Sequence, residues 1–98
     1  MSTNALPART RIAVVVTSYN YRDFVVEAVD SALAQTRAPA AVVVVDDGST
    51  DGSADLLRAR YAGDSRVTLL CGPNTGQLGA FRRGIDAVDA DVVCFLDA

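Results

Sequence analysis

The sequence contains no histidine and no lysine, and its nine basic residues are all arginine. Without histidine, Ser-His-Asp and Cys-His nucleophilic catalysis and any imidazole metal site are excluded for this chain. Without lysine, Schiff-base chemistry and the phosphate-binding lysine of a P-loop go as well. Cysteine is scarce. Cys71 and Cys94 lie in or beside apolar runs and form no CxxC pair, so both are expected as buried free thiols in a reducing compartment. Long apolar stretches are also missing. The N-terminal MSTNALPART is polar and proline-broken, and no apolar run approaches about 18 residues. Neither a secretory signal nor a membrane span is expected, and the cytoplasm is the default location. The net charge of −3 is spread along the chain without a basic stripe, which argues against nucleic acid as a partner. A metal here would be held by carboxylates, which suits a hard cation such as Mg²⁺ or Mn²⁺.

Against these absences stands one dense stretch, VVVVDDGSTD at residues 42–51. Four consecutive β-branched residues predict a strand buried on both faces, and it runs directly into two carboxylates. Burying such charges without a task is costly, so Asp46 and Asp47 mark a candidate site. The alternative is that they only cap the following turn, with Ser49 and Thr50 as partners. Half of the 98 residues are hydrophobic, enough for the core of one small domain or part of a larger one. We expect a flexible lead-in over residues 1–10 and the domain over 11–98.

Read in order, Arg11 to Thr17 is a strand, and Ser18 to Tyr21 is a polar, aromatic loop. Asp23 then caps a helix whose apolar positions run from Phe24 to Leu33, ended by Thr36 to Pro39. Ala41 to Val45 is the second strand. A short helix from Gly52-Ser53 carries Leu56, Leu57 and Tyr61 on one side, and Val67 to Cys71 is the third strand. A helix over Gln77 to Val88 carries Leu78, Phe81, Ile85 and Val88 at helical spacing, and Asp91 to Leu96 is the fourth strand. This alternation predicts an α/β fold with about four parallel strands and three helices. In such a sheet ligands bind beyond the carboxyl ends of the strands, where Thr17, Asp46, Asp47 and Asp97 all fall.

Several motif readings fail. The first strand is followed by TSYNY, so the GxGxxG dinucleotide fingerprint is missing. The glycines at 76, 79 and 84 match no phosphate loop and read as a loop plus close helix packing. Asp47 to Gly52 imitates half of a calcium loop, but the twelfth position is Arg58, where a bidentate glutamate is required. A receiver-like signalling domain would place its acids after the first strand and close the site with a lysine. Arg82 and Arg83 read most simply as a solvated helix face, with phosphate contact as the alternative.

The ordered set VVVTSYNY (14–21), ALAQT (32–36), VVVVDDGSTDGS (42–53), PNTGQLGAFRRGI (73–85) and DVVCFLDA (91–98) resembles the N-terminal, nucleotide-binding half of a family 2 glycosyltransferase. The resemblance implies a Rossmann-like GT-A fold, truncated here at the DxD motif, since LDADD usually stands where this chain has Leu96-Asp97-Ala98. It implies sugar transfer from a nucleotide-diphosphate donor, a UDP-sugar by family habit, to an acceptor hydroxyl on a saccharide or lipid-linked glycan. Thr17, Tyr19, Asn20, Asp46, Asp47 and Asp97 become donor-nucleotide candidates, with Asp47 accepting from the base imide and Asp97 as the first, partial metal acid beside Mg²⁺ or Mn²⁺. No catalytic base is expected within these residues; it and the acceptor region are expected downstream, as is any attachment to the inner membrane surface. Arg82 stands where many relatives have asparagine. The competing reading is a non-catalytic fragment or nucleotide-binding module without transferase activity.

Overall fold

A computed structural model describes residues 9–35 and 39–98. Seven elements alternate: β1 Ile12–Ser18, α1 Arg22–Leu33, β2 Ala41–Asp47, α2 Ser53–Tyr61, β3 Val67–Gly72, α3 Gly76–Asp86 and β4 Val92–Asp97. The strands form one parallel sheet in the order β3-β2-β1-β4. The expected α/β architecture, with four parallel strands and three helices, is therefore what forms. Most of the lead-in expected at 1–10, and most of the helix stop expected at 36–39, lie outside the described residues.

Valine dominates the two central strands because both of their faces are covered. Val14, Val16, Val42 and Val44 pack against Val25, Val29 and Ala32 of α1 and Leu57 of α2. On the opposite face Val15, Val43 and Val45 pack against Ala80 of α3. The chain steps from β1 to β2 to β3 in one direction and then returns to the far side of β1 for β4. Right-handed crossovers put α1 and α2 on one face and α3 on the other for that reason. The reversal lies between β1 and β4, and it opens a crevice at their carboxyl ends.

Three expectations are corrected. Cys71 and Cys94 are exposed rather than buried. They sit on β3 and β4, the two edge strands of the sheet, so the usual preference of the thiol for the interior is overridden by position. Asp23 is not the cap of α1. It lies in the first turn, Tyr21 occupies the cap position without a side-chain bond, and the Arg22 N–H donates to Asp51 Oδ2 at 3.0 Å. Finally, α3 turns its small residues inward. Ala80 and Gly84 are buried, while Leu78 and Ile85 face out and Phe81 stacks on Phe95 with ring centroids 4.4 Å apart. A Cβ at Gly84 would clash with Val15 Cγ1, so the helix lies closer to the sheet than a larger residue would allow.

A polar latch joins α1 to α2 beside the first core. The Tyr61 hydroxyl donates to Asp30 Oδ1 at 2.7 Å, and Arg60 Nη2 donates to Asp30 Oδ2 at 2.9 Å. Burial, then the hydrogen bond to the Asp30 carboxylate, pushes the Tyr61 phenol up to about 12. The folded state thus favours the neutral phenol. Its contribution is fully present below the unfolded value near pH 10 and is lost as pH rises through about 12. Alkaline titration should show a phenolate absorbance step near pH 12 that is missing in Tyr61→Phe. Titration of every tyrosine near its ordinary value would contradict the latch.

Candidate functional site

The turn after β2 is built from its own acids. Asp46 accepts the Ser49 N–H, three residues on, at 3.1 Å and so ties down the turn. Gly48 follows with φ 78°, and a Cβ there would come within 2.6 Å of the Asn74 backbone nitrogen, so only glycine lets the two loops meet. Asp51 then serves two helices. Its Oδ2 holds the first N–H of α1, while its Oδ1 accepts from the Ser53 N–H at 3.0 Å and from the Ser53 hydroxyl at the start of α2. That hydroxyl contact is the largest influence lowering the Asp51 carboxyl below its ordinary range. The stabilisation it brings is present above that range and is lost as pH falls through the folded value.

Asn20 fastens the loop after β1 to the same turn. It is the only non-glycine residue with positive φ among those described, at 55°, a conformation asparagine tolerates. Its N–H donates to Ser49 Oγ at 2.9 Å, and its Oδ1 accepts the Thr50 N–H at 2.8 Å.

Asp47 is 4% exposed and points the other way from Asp46, toward α3. Its Oδ1 accepts three bonds: from the Thr75 N–H at 2.8 Å, the Thr75 hydroxyl at 3.1 Å and Arg83 Nη2 at 2.9 Å. None of the bonds among the described residues ends on Oδ2. Charge-assisted bonds of this kind are the strong ones, and they fix the carboxylate in one orientation.

An open cleft of about 250 Å³ lies beside it, lined by Thr17, Tyr19, Asp47, Gln77 and Asp97 among others. Four of the six sequence candidates (Thr17, Tyr19, Asp47 and Asp97) thus meet at one cavity. Asn20 and Asp46 do not line it; their side chains hold the adjoining turn. Thr17 is buried and its hydroxyl lies 3.4 Å from Asp97 Oδ1, with Asp97 exposed at the rim. Tyr19 and Tyr21 each keep 47% of their surface exposed at the mouth. The cleft sets two tyrosines and Ala80 among polar side chains, which equips it to orient a polar, ring-bearing ligand.

A divalent cation finds little here. A hard cation wants about six oxygen ligands, and the described residues contain no cluster of three or more metal-ligating side chains. Asp97 supplies one carboxylate at the strand end. It does not form a metal centre by itself.

Sequence reasoning missed Thr75 and Arg83 as partners of Asp47, and Asp51 as the anchor of two helices. The reading of Arg83 as a solvated face is overturned by its ion pair with Asp47; Arg82 is exposed as expected.

Comparison with known proteins agrees with this architecture. The family model described as Glycosyl transferase family 2 matches residues 13–98. An uncharacterized glycosyltransferase of Nostoc sp. is 39% identical over 89 residues, covering 90% of this chain and 28% of the relative. A mannosyltransferase from Pyrobaculum calidifontis, solved with GDP-Man and Mn²⁺, superposes with a TM-score of 0.79 at 29% identity, over 91% of this chain and 27% of that one. Glucosyl-3-phosphoglycerate synthase from Mycobacterium tuberculosis, solved with Mn²⁺, UDP and glucosyl-3-phosphoglycerate, gives a TM-score of 0.69 at 26% identity, over 92% and 34%. The chain therefore spans about a third or less of the proteins it matches. Its fold, the order of its motifs and the family model agree: it belongs to glycosyl transferase family 2.

Proposed function

We propose that the cleft takes the nucleotide of a nucleotide-diphosphate sugar, a UDP-sugar in the first instance, and that the protein transfers the sugar to an acceptor hydroxyl. The observation that carries this reading is Asp47, a buried carboxylate clamped through Oδ1 and lining an aromatic-mouthed cleft. A fixed carboxylate is an acceptor only, so it matches the N–H of an imide such as uracil N3–H. Tyr19 offers a face for base stacking, a contact worth about 1–3 kcal/mol per base in other proteins. Thr17 would line the base beside Tyr19, and Asp97, whose Oδ1 lies 3.4 Å from the Thr17 hydroxyl, would meet the ribose. The UDP and GDP-Man bound by the two structural neighbours both carry a base with an N–H beside a carbonyl, which supports this class of ligand.

A divalent cation, Mg²⁺ or Mn²⁺, would neutralise the diphosphate leaving group when bound. Asp97 would share in holding it, with further oxygens supplied by the diphosphate. The alternative reading is a nucleotide-binding module without transfer. Full-length protein incubated with a panel of UDP- and GDP-sugars, MnCl₂ and candidate acceptors distinguishes them. We expect metal-dependent UDP release for one sugar. Binding without release supports the module, and no binding of any UDP- or GDP-sugar below about 1 mM sinks both.

A further inference from the structure

The geometry points to Arg83 as the residue that positions the Asp47 carboxylate, and through it to a preference for bases that present an N–H over bases that present a ring acceptor. The inference rests on the proposed reading of the cleft as a nucleotide site. Arg83 lies near the end of α3, 36 residues from Asp47, and reaches it across the end of β3. The guanidinium passes over Gly72: a Cβ there would meet Arg83 Nη1 and force it to shift. Thr75 reaches the same oxygen from the other side. It does so in a second gap, since a Cβ at Gly79 would come within 2.6 Å of Thr75 Oγ1. Two missing side chains thus admit two donors to one oxygen.

The consequence for Asp47 is directional. The last torsion of an aspartate is broad and roughly two-fold, so the side chain by itself does not choose which oxygen faces a ligand. Three donors on Oδ1 remove that freedom and leave Oδ2 as the acceptor available to the cleft. Arg83 Nε is buried without a partner among the described residues, so the Asp47 bond is what offsets the desolvation of this guanidinium. An oriented acceptor rejects a ligand that offers only another acceptor, because both are then left buried and unpaired. Uracil N3–H and guanine N1–H satisfy it; cytosine N3 and adenine N1 do not.

The test is the affinity ratio of UDP to CDP, measured by calorimetry on the full-length protein. Wild type should prefer UDP by about tenfold or more, a difference of about 1.4 kcal/mol. Arg83→Met removes the donor and should lower that ratio about fivefold, with Arg83→Lys restoring part of it. Gly72→Ala displaces the guanidinium while keeping its charge and a backbone alanine tolerates, and it should lower the ratio in the same direction. This variant keeps the test alive where Arg83→Met does not fold. An unchanged ratio in both Arg83→Met and Gly72→Ala, with Asp47→Asn still abolishing the preference, overturns the positioning role alone. A preference that survives Asp47→Asn overturns the nucleotide reading and this inference together.

Discussion

Asp47→Ala is expected to weaken UDP binding by at least about tenfold, the loss that one buried hydrogen bond to a charged group commands. The variant removes the acceptor from the cleft and also strands the Thr75 N–H and the Arg83 guanidinium, which converge on its Oδ1. Stability should therefore fall as well, by about 1–3 kcal/mol for the unpaired donors. Asp47→Asn separates the two effects. Its amide oxygen can stay with the three donors while its NH₂ faces the ligand, so the fold is kept and the reading of the base is reversed. Calorimetry should then show CDP, with its acceptor at N3, binding as well as UDP or better. Unaltered UDP affinity in Asp47→Ala would remove this residue from the site.

The largest effect on stability is expected at Gly84. Glycine within a helix costs about 1 kcal/mol relative to alanine, so on propensity alone a larger residue would help. Position decides otherwise. A Cβ at 84 meets Val15 Cγ1 at clashing distance and approaches Val15 Cγ2 and Val45 Cγ2 to 3.2 and 3.3 Å, all on β1 and β2. Those valines are fully buried between two covered faces and have no room to move. Gly84→Leu should cost about 3 kcal/mol or more by overpacking, read as a lower urea midpoint with an unchanged m-value. Gly63→Ala, where nothing lies within 4 Å, serves as the control and should stay within about 0.5 kcal/mol. Equal midpoints for the two variants would show that α3 can lift off the sheet without loss.

The fold was legible because its signals are local. Valine runs at 14–16 and 42–45 and helical spacing in between state the element order directly, and a parallel sheet gathers its carboxyl ends on one edge. Thr17, Asp47 and Asp97 come together for that reason. What stayed hidden depends on phase and on distance along the chain. Arg82 and Arg83 are neighbours in sequence but lie about 100° apart around a helix, so one meets solvent and the other Asp47. Close packing of α3 was legible in its glycines, but the helical spacing of Leu78 and Ile85 did not show that Ala80 and Gly84 face the sheet instead. Asp51 completing α1 from 29 residues away has no local signature, and the exposed cysteines follow from being on edge strands, which composition does not report.

Gly84 also acts as a fulcrum. It is where α3 rests on Val15 and Val45, and Gly76, at the other end of that helix, lines the cleft. Eight residues of helix make an arm of about 12 Å, so a tilt of about 5° at the fulcrum moves the far end by about 1 Å. Displacements of that size are enough to spoil the alignment of a bound ligand. Methyl groups deep in the valine core therefore hold a lever whose other end sets the width of the cleft, and the packing of that core and the grip on the ligand are one mechanical quantity measured at two places.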